Sequence, residues 1–263
     1  MLIDAHVHLP TGNTVITFQE KKEFLLAGMK KNGVDQCILI ADSWPVSEIG
    51  SNKDCMSLFP AGNCDGVHVV GGISPLKDFD RQLEVIRFGI EKKALVGIKL
   101  FTGHEAFYLT DERLDIVYDL ALQTGTPVLF HSGWDNRQYS DVPVAEKIAK
   151  KYPELRLVCC HCWYPMIGLA QRLFDYPNVF FDFSSVADEP GKYEKLAEEA
   201  ELIIRTVPDR VLYGSDAFGC SMEQHLSFFR NLDLPEEISR KFFAENAKRI
   251  YLVPDGERDP EIT

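Results

Sequence analysis

The absences in this sequence narrow it before any motif does. No uninterrupted apolar stretch approaches the ~20 residues of a membrane-spanning helix. Basic charge is in the minority, 28 Lys+Arg against 40 Asp+Glu for a net charge of −12. Such an acidic surface repels phosphate backbones and anionic bilayers, so neither nucleic acid nor a membrane is an expected partner. The seven cysteines are an odd number and lack the paired spacing of a disulfide framework. They read as reduced thiols in a cytoplasmic protein. The first six residues hold no basic segment leading into an apolar run, so no signal peptide is expected. No Pro/Gly/Ser-rich linker divides the chain. Residues 1–253 therefore read as one domain, and 254–263 as a loose polar tail. What remains is 45% hydrophobic and 11% aromatic, ample for a packed core.

One pattern recurs along the chain. Short apolar, β-branched runs occur at 2–5, 36–41, 67–73, 95–100, 127–130, 155–160, 179–181 and 211–213. They start about 30 residues apart, the repeat of a strand–loop–helix–loop unit. The segments 20–31, 80–93, 111–123, 142–151, 193–206 and 235–252 carry apolar residues at helical spacing, with Thr110 as the expected N-cap of the third. Eight strands alternating with eight helices predict a single-domain (β/α)8 TIM barrel over an open doubly wound sheet.

Catalytic residues of such a barrel sit where its strands end. Five of the runs end in groups able to bind metal or move a proton: His6 and His8, Lys99, His131, His161 and Asp216. Polar groups are expensive to bury in a barrel unless they are paired or metal-bound. His6 and His8, two apart on a strand, face the same side and reach one ion from one rigid element. His131 supplies a third nitrogen and Asp216 a carboxylate. Three imidazoles and one carboxylate suit Zn²⁺ with a position left open, and Mn²⁺ or Fe²⁺ accept the same ligands. Such an ion lowers the pKa of bound water from about 15.7 to about 7 and so delivers hydroxide at neutral pH. Asp216 doubles as the general base. His161 lies in Cys159-Cys160-His161-Cys162, where strand alternation puts Cys159 on its side and the other thiols opposite, as core-packing groups. The imidazole itself faces the pocket, to polarise a substrate carbonyl or hold a second ion.

With those motifs in place, the chain resembles the amidohydrolase superfamily. More narrowly it is similar to the amidohydrolase-related branch that includes the aminocarboxymuconate-semialdehyde decarboxylases. The matching segments are Ile3-Asp4-Ala5-His6-Val7-His8, Gly97-Ile98-Lys99-Leu100, Phe130-His131-Ser132-Gly133, His161 and Tyr213-Gly214-Ser215-Asp216, and they extend to about residue 252. The resemblance implies one zinc on His6, His8, His131 and Asp216, with His161 catalytic. It also implies that Lys99 could be carboxylated and bridge two metals. From its chemistry alone, Lys99 could instead meet a substrate carboxylate or form a buried salt bridge. The branch often continues its fourth-strand Lys-Leu with His-Pro. Here Phe101-Thr102 follows, and His104 is near enough to compensate in part.

Trp44, Trp134 and Trp163 follow the second, fifth and sixth runs and read equally as core or rim packing or, with Phe101 and Tyr108, as the aromatic wall of a substrate mouth. Asp182 reads equally as a loop cap, and His68 and His225 as structural. The expectation is a cytoplasmic metal-dependent hydrolase acting on an amide, lactone or related carboxyl derivative of a small molecule, with a homo-oligomer compatible with the sequence. The main rival is a lyase, a decarboxylase or hydratase, on the same site. A deoxyribonuclease-like activity is disfavoured by the charge, and a non-enzymatic barrel by the intact ligand set.

Overall fold

The structure is a computed structural model and describes residues 1–12, 17–133, 136–189 and 191–253. The expected tail, 254–263, and Trp134 lie outside the described residues. Each apolar run becomes a strand: β1 (Ile3–Val7), β2 (Gln36–Ile40), β3 (Val67–Ile73), β4 (Gly97–Leu100), β5 (Val128–His131), β6 (Leu157–Cys160), β7 (Val179–Asp182) and β8 (Val211–Leu212). They pair in chain order, every neighbour parallel. The ring closes beyond β8, where Ala5 N–H donates to Tyr213 O at 2.9 Å and Asp216 N–H to His6 O at 2.9 Å.

Side chains alternate between two layers. Ile3, Ala5, Ile38, Ile40, Val70, Leu129, Val158, Cys160 and Leu212 fill the barrel interior. Residues of the other parity, such as Cys37, Leu39, Ile98, Phe130 and Cys159, pack against the helices. Continuing the inward rows toward the carboxyl ends brings Lys99, His131 and Asp182 to the top of the interior. β1 needs a correction to reach it. Its register shifts between Asp4 and Val7, so inward parity passes from Ile3 and Ala5 to His6 and His8 while Val7 and Leu9 join the outer layer. A bulge of this kind re-aims the residues beyond it.

The helices are α1 (Phe18–Asn32), α2 (Asn52–Leu58), α3 (Phe79–Glu91), α4 (Asp115–Thr124), α5 (Val142–Lys151), α6 (Leu196–Thr206), α7 (Met222–Arg230), α8 (Glu236–Arg240) and α9 (Asn246–Tyr251). A capping box between Thr17 and Glu20 starts α1, and Gly33, at φ 66°, ends it. Strict eightfold alternation fails in one place. Among the described residues, β6 and β7 are joined by two 3₁₀ stretches, His161–Trp163 and Ile167–Leu173, instead of an α-helix. α2 and α7 were not expected: seven and nine residues are too short for apolar periodicity to show. Asp111, not Thr110, caps the helical turn before α4, because its side chain accepts from Arg113 N–H.

The β5 and β6 ends are pressed together at Gly133. This glycine sits at φ 82°, and an added Cβ would lie 2.5 Å from Tyr164 O. A Gly133→Ala chain should therefore unfold at lower denaturant, by roughly 1–3 kcal/mol. Equal midpoints in urea titrations of the two proteins would show that this contact is not tight.

Candidate metal centre

Asp182, the last residue of β7, is fully buried, and its Oδ2 lies 2.6 Å from His6 Nδ1. A carboxylate 2.6 Å away requires the proton on Nδ1, leaving Nε2 of His6 a bare lone pair. The same logic fixes His8, whose Nδ1 lies 3.0 Å from the Ile40 carbonyl. It fixes His161 as well, whose Nδ1 lies 3.2 Å from the Ser184 carbonyl. Carbonyl oxygens only accept, so both rings present unprotonated Nε2 atoms. Ser184 Oγ, 3.1 Å from His6 Nδ1 and 3.0 Å from His161 Nδ1, ties the two rings to one post.

These lone pairs converge. His6 Nε2 and His8 Nε2 lie 3.4 and 3.3 Å from Asp216 Oδ1, and the three residues form a group able to hold a metal ion. Three acceptors face one another with no proton among them. His6 Nε2 and Asp216 Oδ1 are buried and lack any hydrogen-bond partner, a penalty of about 1–3 kcal/mol each. A divalent cation resolves that conflict, so the donor set fits a metal.

His131 lines the same space. Its ring centre is 4.8 Å from that of His161 and 4.0 Å from that of His104. It lies outside the tight His6–His8–Asp216 group, so the structure brings three of the four expected ligands together and sets the fourth alongside. His104, from the loop after β4, packs its ring against that of His131.

The charges follow from burial. Desolvation holds the His131 imidazole well below its ordinary value, and it pushes His161 down to about 3. Asp4 is pushed up to about 7 by burial although Ser215 donates to it through both N–H and Oγ. That grip anchors the turn carrying Asp216, which itself sits at φ 62°, a left-handed conformation costly for a side chain. Gly214 allows the approach: an added Cβ would stand 2.6 Å from Asp182 Oδ1 and 3.0 Å from His6 Cβ.

Several expectations change. Cys160, not Cys159, points inward, beside Lys99. The reason is that His161, Cys162 and Trp163 all take positive φ, which breaks the alternation after β6. Trp163 is fully buried against Phe130, with its indole N–H donating to Ser140 O. It backs the barrel from outside and is no substrate wall. Lys99 is 1% exposed, and among the described residues no carboxylate lies within ion-pair distance, so the buried salt bridge is absent. Asp182 and Ser184 are the residues sequence reasoning missed as site elements. The only signal was an acidic residue closing the seventh run. His225 is structural as expected, its two nitrogens engaged by Ser221 O and Ala187 N–H.

A parallel barrel with this donor set at its carboxyl-terminal rim defines a metal-dependent enzyme of the TIM-barrel class. A sequence profile of the amidohydrolase family matches residues 3–253, and the chain belongs to that family. No curated protein sequence matches it. Among solved structures it is similar to an uncharacterised TIM-barrel protein from Bordetella bronchiseptica, at 18% identity over 95% of this chain and 98% of that one, TM-score 0.77. A 4-oxalomesaconate hydratase from Rhodopseudomonas palustris shares 20% identity over 96% of each chain, TM-score 0.69. A 5-carboxyvanillate decarboxylase from Novosphingobium aromaticivorans, crystallised with bound manganese, shares 17% over 88% and 80%, TM-score 0.60.

Two outcomes are expected. Asp182→Asn weakens the acceptor behind His6, so metal affinity measured by competition with a chelating dye should fall about 10–100-fold. Unchanged affinity would remove Asp182 from the site. In metal-free protein, burial depresses the imidazoles of His6, His68, His104, His131, His161 and His225. Unfolded imidazoles protonate below about pH 6.5 while these do not, so the unfolded state binds more protons and stability is lost as pH falls through that range. Asp4 and Glu105, both raised by burial, act in the opposite sense but are outnumbered. The melting temperature of chelator-treated protein should drop from pH 7 to pH 5; a rise would contradict neutral, buried imidazoles.

Proposed function

We propose that the chain is a hydrolase that cleaves an amide, lactone or related carboxyl derivative of a small molecule. His6, His8, His131 and Asp216 would hold one divalent ion, Zn²⁺ in preference to Mn²⁺ or Fe²⁺, given three imidazoles and one carboxylate. The ion supplies Lewis acidity toward a carbonyl oxygen and toward water.

The observation that carries this reading is Asp216. Its Oδ1 lies 3.4 and 3.3 Å from His6 Nε2 and His8 Nε2 and has no hydrogen-bond partner, so a lone pair stands open at the site to take a proton. It takes one from the attacking water as the C–O bond forms, and returns it to the nitrogen or oxygen that leaves as the scissile bond breaks. His161 is neutral at working pH, and Ser184 fixes its Nδ1 proton. Its Nε2 therefore accepts a hydrogen bond and orients the water. Stabilising a developing negative charge, the role expected from sequence, would need a donor there. Lys99, whose Nζ stands 5.4 Å over the Phe101 ring, is placed to meet a substrate carboxylate from below. All seven cysteines are free thiols, which supports a cytoplasmic location.

The second reading is a lyase. Lys99 favours it, since no carboxylate among the described residues pairs with it and a carboxylate substrate could, and the hydratase and decarboxylase among the similar folds lend it support. One screen separates the two: proton release from lactones and amides in a pH-stat, and CO₂ release from unsaturated and aromatic carboxylates. The hydrolase reading expects turnover in the first arm, with kcat lowered about 10²–10⁴-fold in Asp216→Asn. CO₂ release without lactone or amide turnover would transfer the assignment to the lyase.

A further inference from the structure

Outside the metal centre, the β2 and β3 loops and the starts of α2 and α3 enclose a cleft of about 150 Å³. Its charge runs against the rest of the molecule. Lys53, Lys77 and Arg81 line it, with Asp78 as the one carboxylate. None of the three cations forms an ion pair among the described residues, in a chain with 40 acidic side chains available. The cleft also receives the first turn of α3, whose N-cap residue, Asp78, makes no side-chain cap bond. On the opposite wall stands Trp44, 41% exposed, with Lys77 Nζ 5.4 Å above its ring. Pro45 and Val85 complete an apolar lining.

The cleft is separate from the metal centre. Glu105 stands between them, accepting from Ser43 Oγ at 2.9 Å and from Ser74 Oγ. Both serines face the cleft from this wall. Glu105 follows His104, whose ring lies against His131.

We propose that this cleft binds a small planar anion, an aromatic ring bearing a carboxylate. The ring stacks on Trp44, and the carboxylate is held by Lys77 and Arg81 with Lys53 nearby. An aromatic face paired with a cation suits this ligand class because each handles one half of it. A neutral aromatic would leave the cations unpaired, and an inorganic anion would leave Trp44 uncovered. The inference stands apart from the proposed reaction, since it uses no residue of the metal centre.

The test is a tryptophan-fluorescence titration of the full-length protein with 1-naphthoate, alongside the neutral 1-naphthalenemethanol. Saturable quenching by the carboxylate is expected, and it should persist after chelator treatment. Lys77→Glu/Arg81→Glu should weaken apparent affinity at least about tenfold while leaving metal content and the thermal melt unchanged. Trp44→Phe should remove the quench while binding persists in calorimetry. Three outcomes would overturn the proposal: equal affinity for the alcohol, equal affinity in the double variant, or a quench that survives Trp44→Phe. The last would place the ligand beside another tryptophan. Because the readout is binding and not turnover, failure of the hydrolase reading leaves this result intact, and the reverse also holds.

Discussion

Three electron pairs meet at the top of this barrel, and much of the site's architecture serves to keep them there. His6 Nε2 and His8 Nε2 lie 3.4 and 3.3 Å from Asp216 Oδ1, and the three residues' ligand atoms lie within 4.8 Å of one another. The proton that could relieve them is tied up elsewhere. Asp182, the Ile40 carbonyl and the Ser184 carbonyl each hold an Nδ1–H on the far side of a ring. The tautomers are thereby set from behind, as in metal sites whose outer carboxylates and carbonyls orient the ligands. A folded chain that keeps such a cluster of acceptors is arranged around a cation.

The barrel supplies this geometry through departures from regularity. A register shift in β1 turns His6 and His8 inward. Asp216 and His161 take left-handed backbone conformations at φ 62° and 64°, each opposed by side-chain sterics. Gly214 gives β8 room to pass Asp182. Asp4, buried and doubly bonded to Ser215, holds the Asp216 turn against the floor. Such strain persists only where packing over-determines it, and the barrel below is densely apolar. The regular part of the fold provides stiffness, and the irregular part provides aim.

What could be read from the sequence follows the same division. Strand positions and strand-end residues were legible because alternation and β-branched runs are local, and they located His6, His8, His131, His161 and Asp216. Whatever depended on broken alternation was not. Cys159 and Cys160 exchange faces because three successive residues after β6 take positive φ. Trp163 is carried into the outer layer by the same turn. Asp182 and Ser184 act across 176 and 178 residues of chain on His6, a relationship no spacing rule encodes. Lys99 had three readings in sequence, and the structure removes only the one that needed a carboxylate neighbour.

Charge ties the site to the surface. A molecule at net −12 does not attract anions by its overall field. Its buried cation, Lys99, and the cations Lys53, Lys77 and Arg81 lining the β2–β3 cleft are local exceptions, one beneath the metal centre and the others in a separate cleft. The account still rests on the ion that the acceptor cluster demands. Anomalous-scattering data from crystals of the metal-loaded protein test this most directly. A single strong peak between His6 Nε2, His8 Nε2 and Asp216 is predicted, close enough to His131 to bond it. No peak there, or one among His6, Cys160 and Asp182, would contradict the assignment.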